Sequence, residues 1–300
     1  MPESADEIER DLSHFLEHDR IASLVKSLKE SAYRFTDTDA RFLVDAYYQV
    51  QEGRKAAANQ FRSQTGTVMV IEWLKANLAG LETKIKLLLG HYADGRVPGV
   101  WAQSIVGIGP VIAAGLSAHI DIARAQTVGH IWRFAGLDPT SKWEKGEKRP
   151  WNADLKVLCW KIGQSFVKVS NHDEDIYGHL YRERKAYEVA KNEAGDYADQ
   201  AAATLEKVPG HAQRAIYKTG QLPPGRIDQR AQRWATKLFL AHWHHVAYET
   251  QYGTPPPKPY VIEHMGHVNL MGPPNWPLPK EQADFPYGTR VRTLPEEPST

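Results

Sequence analysis

Between residues 71 and 88, six aliphatic residues (Ile71, Leu74, Leu78, Leu81, Ile85 and Leu88) recur at steps of 3, 4, 3, 4 and 3. An α-helix brings such positions onto one stripe, and a repeat of this kind asks for a second helix along it. The run lasts about two and a half heptads, which suits a helical hairpin within the chain better than a dimer stalk. No period-2 apolar run of central-strand length occurs anywhere in the 300 residues, so the expected fold is all-α.

Residues 4–30 and 39–63 also read as helices, the second introduced by TDTD, whose side-chain oxygens can accept from the first free amides. Gln64 to Gly66 reads as a turn. Residues 90–99, GHYADGRVPG, read as a Gly/Pro joint and a domain boundary. Four regions result: a helical domain over 1–90 with the heptad helix at 67–90, a compact segment over 91–190, a polar helix pair over 191–252 and a tail over 253–300. The tail holds 11 of the 19 prolines. Proline lacks the donor that helices and sheet interiors need, so the tail is expected to be extended, wrapping a partner or its own body.

Lys plus Arg number 37 and Asp plus Glu 36, so net charge points to no partner until the charges are located along the chain. The only cysteine, Cys159, lies between Leu158 and Trp160. That excludes an intramolecular disulfide and a multi-cysteine zinc site and fits a buried thiol in a cytoplasmic protein. The opening MPESADEIERDL is acidic, and no apolar run reaches the roughly 18 residues of a membrane helix, so neither export nor a membrane partner is expected. No cofactor is implied.

The most informative stretch is SIVGIGPVIAAGL, residues 104–116. Two glycines permit a tight bend and Pro110 suits the first turn of a new helix, giving a hairpin with helices near 99–106 and 110–119. Backbone amides around Gly107, Ile108, Gly109, Val111 and Ile112 then converge at a helix start, where a phosphate can dock without sequence preference. A plain helix–helix connection is the competing reading. Downstream, HIWRFAGLDP reads as a short helix stopped by Gly136 in a left-handed cap. A loop follows, and between Ser141 and Ser170 seven basic residues stand against three acidic ones. Lys142, Lys145, Lys148 and Arg149 are its candidate phosphate contacts, with Trp143 and Trp151 interleaved either to stack on bases or to anchor the loop.

Together the apolar-Gly-Ile-Gly-Pro hairpin (Val106 to Pro110), the phrase FAGLDP (Phe134 to Pro139) and the basic segment Lys142 to Gln164 resemble the carboxy-terminal domain of the insertion sequence 110/116/902 transposases. The similarity covers roughly residues 70–185. It implies a DNA recombinase with an amino-terminal RuvC-like domain bearing four acidic metal ligands, a nucleophilic serine in the basic loop, and in many members a structured RNA partner. Neither catalytic part is evident here. Residues 1–90 read as helices, with Asp37, Asp39 and Asp45 at a cap or on a helix, and TSKWEKG puts Glu144 where the serine is expected. A carboxylate cannot form the hydroxyl's phosphoester. Thr140 and Ser141 are nearby hydroxyls for which capping is the simpler role.

Three other constellations stand out. Arg226, Arg230, Arg233 and Lys237 form one basic stripe at helical spacing, readable as further phosphate contacts or as a solvated face. AHWHHVAY sets His242 and His245 one turn apart, with His244 between and His264 and His267 beyond, but no third ligand is evident and no metal is assigned. HDED, residues 172–175, reads as a helix amino-terminal cap. The expected function is non-catalytic, backbone-directed DNA binding by a relative of mobile-element or phage transposases. A recombinase or nuclease with an unrecognised nucleophile, and a helical protein that oligomerises through the heptad helix, are the alternatives.

Overall fold

The computed structural model describes residues 26–63, 69–257 and 271–279, and among these the chain is helical with no strand. Of the helix expected at 4–30, residues 26–31 are described and helical; the turn at 64–66 lies outside the described residues. A 3₁₀ turn at Ala32–Arg34 precedes α1 (Asp37–Arg62) and α2 (Met69–Asp94). Next come α3 (Val97–Gln103), α4 (Pro110–His119), α5 (Val128–Phe134) and α6 (Ala153–Val169). The series ends with α7 (Tyr177–Glu193), α8 (Ala198–Lys207), α9 (Arg214–Tyr217) and α10 (Pro224–Tyr252).

Thr36 starts α1 through a reciprocal cap: its hydroxyl accepts from the Asp39 amide (3.2 Å) and the Asp39 carboxylate accepts from the Thr36 amide (2.9 Å). α1 and α2 run antiparallel, because the Tyr92 hydroxyl near the end of α2 donates to Asp37 at the start of α1 (2.7 Å) and Arg54 pairs with Glu82 further along. The heptad run therefore makes an internal hairpin, but only partly. Ile85 and Leu88 are buried and Ile71 and Leu78 half-buried, while Leu74 and Leu81 are exposed.

The joint expected at 90–99 is shorter than the sequence suggests. Gly90 to Asp94 continue α2 and Val97 opens α3, leaving Gly95 and Arg96 as the connection. Gly90 stands inside the helix with Pro110 beside it: a Cβ there would meet the Pro110 Cβ at 3.6 Å, an ordinary packing distance. The boundary expected at this point falls inside one contiguous core, in which Leu89 and Tyr92 of α2 join Leu116 of α4, Ile162 of α6 and Phe239 of α10.

α10 is not one of a polar pair. It is the longest helix described, and Ala231, Ala235, Phe239, Leu240, Trp243, Val246 and Ala247 on it are buried. The four-cation stripe occupies the opposite face and lowers the apparent hydrophobicity of a helix that organises the interior. Around it, Phe239 stacks on Trp101 of α3 (5.6 Å, 15°) and meets Phe166 of α6 and Tyr177 of α7 edge-on at 5.5 and 5.3 Å. Beside the main core, Asn192 exchanges two hydrogen bonds with the backbone of Leu222 (3.0 and 2.8 Å), pinning the connection into α10.

The described part of the proline-bearing tail, 271–279, lies on the chain's own body. The Trp101 indole donates to the Pro274 carbonyl (2.7 Å), Trp276 donates to Glu249 (2.8 Å) and Leu278 is buried. Cys159 is buried, and that burial pushes its thiol up to about 12.

Candidate nucleic-acid interface

The glycine bend forms as its residue types require. Gly107 takes φ +92°, where a side chain is strained, and Gly109 is the extended residue before α4, with Pro110 in the first turn. The bend is held from α6, where the Ser165 hydroxyl donates to the Gly107 carbonyl (2.5 Å). The preceding helix is α3, which ends at Gln103 rather than 106 because Ser104 and Ile105 close the turn onto Val100, Trp101 and Ala102 carbonyls.

Two of the expected anion-binding amides are already engaged. Ile108 donates to the Ile105 carbonyl (2.9 Å) and Ile112 donates to the Gly109 carbonyl (3.1 Å), because the first turn of α4 tightens to an i,i+3 bond. The amides of Gly107, Gly109 and Val111 have no acceptor among the described residues.

Gly109, Val111 and Ile112 open onto a cleft of about 380 Å³ walled by α1, α2 and α6. Lys55, Lys86, Lys161 and Lys168 line it, and Glu52, the only carboxylate on its wall among the described residues, pairs with Lys55 (2.8 Å). Lys161 lies over the Tyr48 ring (3.7 Å) and is held below its usual pKa, first by burial and then by Lys55 and Lys168. Like charges crowded near a helix start favour an anion there.

The Lys142–Arg149 loop stands outside this cleft with its side chains exposed. Trp143 and Trp151 serve as anchors: they meet edge-on (6.3 Å, 63°), the Trp143 indole donates to the Glu147 carbonyl (2.8 Å), and Lys156 sits 4.0 Å over Trp151. Gly136 takes φ +65° and the Leu137 amide reaches the Trp132 carbonyl (2.8 Å), the left-handed cap read from FAGLDP. The Thr140 amide and hydroxyl both donate to Asp138 (2.9 and 2.8 Å), a local turn.

The basic stripe on α10 divides. Arg230 is diverted inward, donating to the buried Glu188 (2.7 Å) and lying over the Tyr197 ring (4.3 Å), so it is a structural ion-pair partner and no longer a free contact for phosphate. Lys237 covers the Trp132 ring (4.1 Å). Arg226 and Arg233 stay exposed. Arg233 joins Lys156 in a second cleft of about 280 Å³ between α6 and α10, with no carboxylate on its wall among the described residues. Lys156 is lowered by burial and then by Arg149 and Arg233, which ties one end of the loop to the stripe.

The histidines are used by the fold. His242 bridges Tyr177 and the Met271 carbonyl, His244 reaches the Ala125 carbonyl (2.7 Å), and His245 pairs with Glu249 (3.2 Å). His264 and His267 lie outside the described residues, among which no group of three His, Cys, Asp or Glu side chains is placed to hold a metal ion. HDED ends in Asp175, buried against the start of α7, where burial raises its carboxyl. No described helix is long and apolar enough to cross a membrane.

Sequence reasoning missed Lys55, Lys86, Tyr48 and Trp160. The first three lie far from the hairpin in the chain and reach it only through the α1–α2 pairing. Trp160 did carry a signal: Leu155, Leu158, Cys159, Ile162, Gly163 and Phe166 make the buried seam of α6, and Trp160 is off it. No protein-family model, curated protein or solved structure matches the chain.

Proposed function

We propose that this chain is a non-catalytic nucleic-acid-binding protein, related to insertion-sequence transposases, that grips the phosphate backbone of DNA. The observation that carries the reading is the placement of Gly109 and Val111, whose amides have no acceptor among the described residues, on the wall of one cleft with Lys55, Lys86, Lys161 and Lys168. Arg149, Lys156, Arg226 and Arg233 extend the cationic surface past α6, and the exposed loop adds Lys142, Lys145 and Lys148. Contacts of this type carry affinity with little sequence discrimination. Glu144, where the resemblance calls for a serine, offers no hydroxyl, and Thr140 is held by Asp138.

The test is duplex-DNA affinity against salt. Each phosphate contact adds about 0.9 to the slope of log affinity against log salt, so Lys161→Ala with Lys168→Ala should flatten it by one to two, on the order of the two contacts removed. An unchanged slope removes the cleft from the interface. Magnesium-dependent cleavage of supercoiled DNA, or a covalent protein–DNA adduct, would instead favour the recombinase reading.

A second reading concerns assembly. Val70, Trp73, Leu74 and Leu81 are exposed on α2, an apolar face that the α1 pairing leaves uncovered. It supports a homo-oligomer formed through the heptad helix. Sedimentation over a range of concentrations checks this, and Leu74→Glu with Leu81→Glu should return the chain to monomer.

A further inference from the structure

Two basic clefts share one wall residue, Trp160. Its side chain is 59% exposed, and Val157, one turn earlier, is 52% exposed. Both stand on the outer face of α6, opposite the seam that enters the core. A large indole held in water costs free energy unless something covers it. Nothing among the described residues covers it, whereas the other two tryptophans of this region are occupied with each other and with Lys156.

The charge around the indole restricts what the cover can be. On one side lie Lys55, Lys86, Lys161 and Lys168, and on the other Lys156 and Arg233. Lys156, Trp160, Lys161 and Lys168 all stand on α6, so the cations span about 18 Å along its axis at 1.5 Å per residue. An apolar protein surface would have to desolvate these cations without compensation. An anionic polymer with flat, apolar faces satisfies both requirements. In a duplex those faces are stacked and paired within the helix, so a duplex offers this tryptophan only sugar and phosphate. In a single strand each base presents a free π-face between successive phosphates.

We infer that Trp160 is a stacking platform for a base of single-stranded nucleic acid, whose phosphates on either side of that base lie in the two clefts. The inference rests on the backbone-binding function proposed above and narrows it to unpaired strands. Gln164, which reaches across to Gln232 (2.7 Å), and the close approach of α10 at Gly163 fix the face on which the indole stands.

Fluorescence anisotropy of the full chain with labelled thymidine and uridine oligonucleotides of about 16 nucleotides, and with a duplex of equal length, tests it. At least one single strand should bind about 10-fold or more tightly than the duplex. Trp160→Ala should weaken single-strand binding by about 10- to 100-fold and leave duplex binding unchanged, with Trp160→Tyr restoring most of the loss. The residue is exposed, so the fold should tolerate both substitutions, and circular dichroism verifies that. The inference is overturned if Trp160→Ala leaves single-strand affinity unaltered or if the duplex binds as tightly. Those results leave backbone binding standing. Absence of binding to every probe at low salt, or indifference to Lys161→Ala with Lys168→Ala, overturns both.

Discussion

The Tyr177 hydroxyl and Nδ1 of His242 lie 2.6 Å apart in the interior, and Nε2 of the same imidazole lies 2.9 Å from the Met271 carbonyl. A carbonyl only accepts, so Nε2 carries the hydrogen and Nδ1 accepts from the tyrosine. The neutral ring is thus the form the site fits. Burial lowers His242 to about 4, and His244, against the Ala125 carbonyl, to about 4 as well.

Both groups bind protons more readily in the unfolded chain, where they titrate near 6.5. Their contribution is present above that value and is lost as pH falls from 6.5 towards 4, by up to about 3 kcal/mol for each. Urea unfolding at pH 7, 5.5 and 4.5 should show this loss. Replacing both histidines by glutamine should flatten the profile across that window, and a profile indifferent to the double substitution counts against the assignment.

Glu188 supplies an independent acid response. Its side chain is 2% exposed and accepts from Arg184 (2.6 Å), Arg230 (2.7 Å) and Tyr197 (2.5 Å). Burial alone would raise this carboxyl, but the three donors outweigh it and bring it to about 2. Its stabilising effect is present above about 4.5 and is lost as pH falls through 2. Arg230→Met leaves the carboxylate buried with one donor fewer and should cost about 3 kcal/mol of unfolding free energy measured in urea. Lys55→Met, which breaks an exposed pair with Glu52, should cost under about 1 kcal/mol.

The two glycines of the bend should respond differently to alanine. At Gly107 a Cβ would meet Val169 Cγ2 at 3.0 Å and Ser165 Oγ at 3.3 Å on a backbone with φ +92°, so Gly107→Ala should destabilise by about 1–2 kcal/mol. At Gly109 no described residue other than its chain neighbours lies within 4 Å of an added Cβ and φ is −95°, so Gly109→Ala should stay within about 0.5 kcal/mol. Thermal denaturation of the pair decides; equal losses would show that the bend does not discriminate as described.

The tail segment should matter to the body beneath it. Trp276→Ala removes the bond to Glu249 and part of the cover over α3 and α10, for an expected loss of about 1–3 kcal/mol. Limited proteolysis should then cut beyond residue 253 sooner than in the parent chain.

Local signals in the sequence translated well into structure. The Thr36–Asp39 cap, Pro110 at the start of α4 and Gly136 in its left-handed cap each depend on a few neighbouring residues, and each is found where the pattern puts it. Signals that depend on distant partners did not. Arg230 belongs with a glutamate 42 positions away, and the cations on its face of α10 masked the buried alanines and aromatics on the other. Gly90 and Pro98 resemble a linker in sequence, but Gly90, within α2, packs on Pro110, and Pro98 stands in the first turn of α3. Distance in the chain likewise hides the lysine cleft: its wall comes from three helices besides α4.

The single thiol stands on α6 next in the chain to the exposed indole, yet it is buried and kept protonated. Cys159 also lines the cleft between α6 and α10, so its alkylation, one equivalent per chain, is a clock for the widening of that cleft. A strand clamped across that seam would slow the clock, whereas a ligand held by the outlying loop would leave its rate untouched.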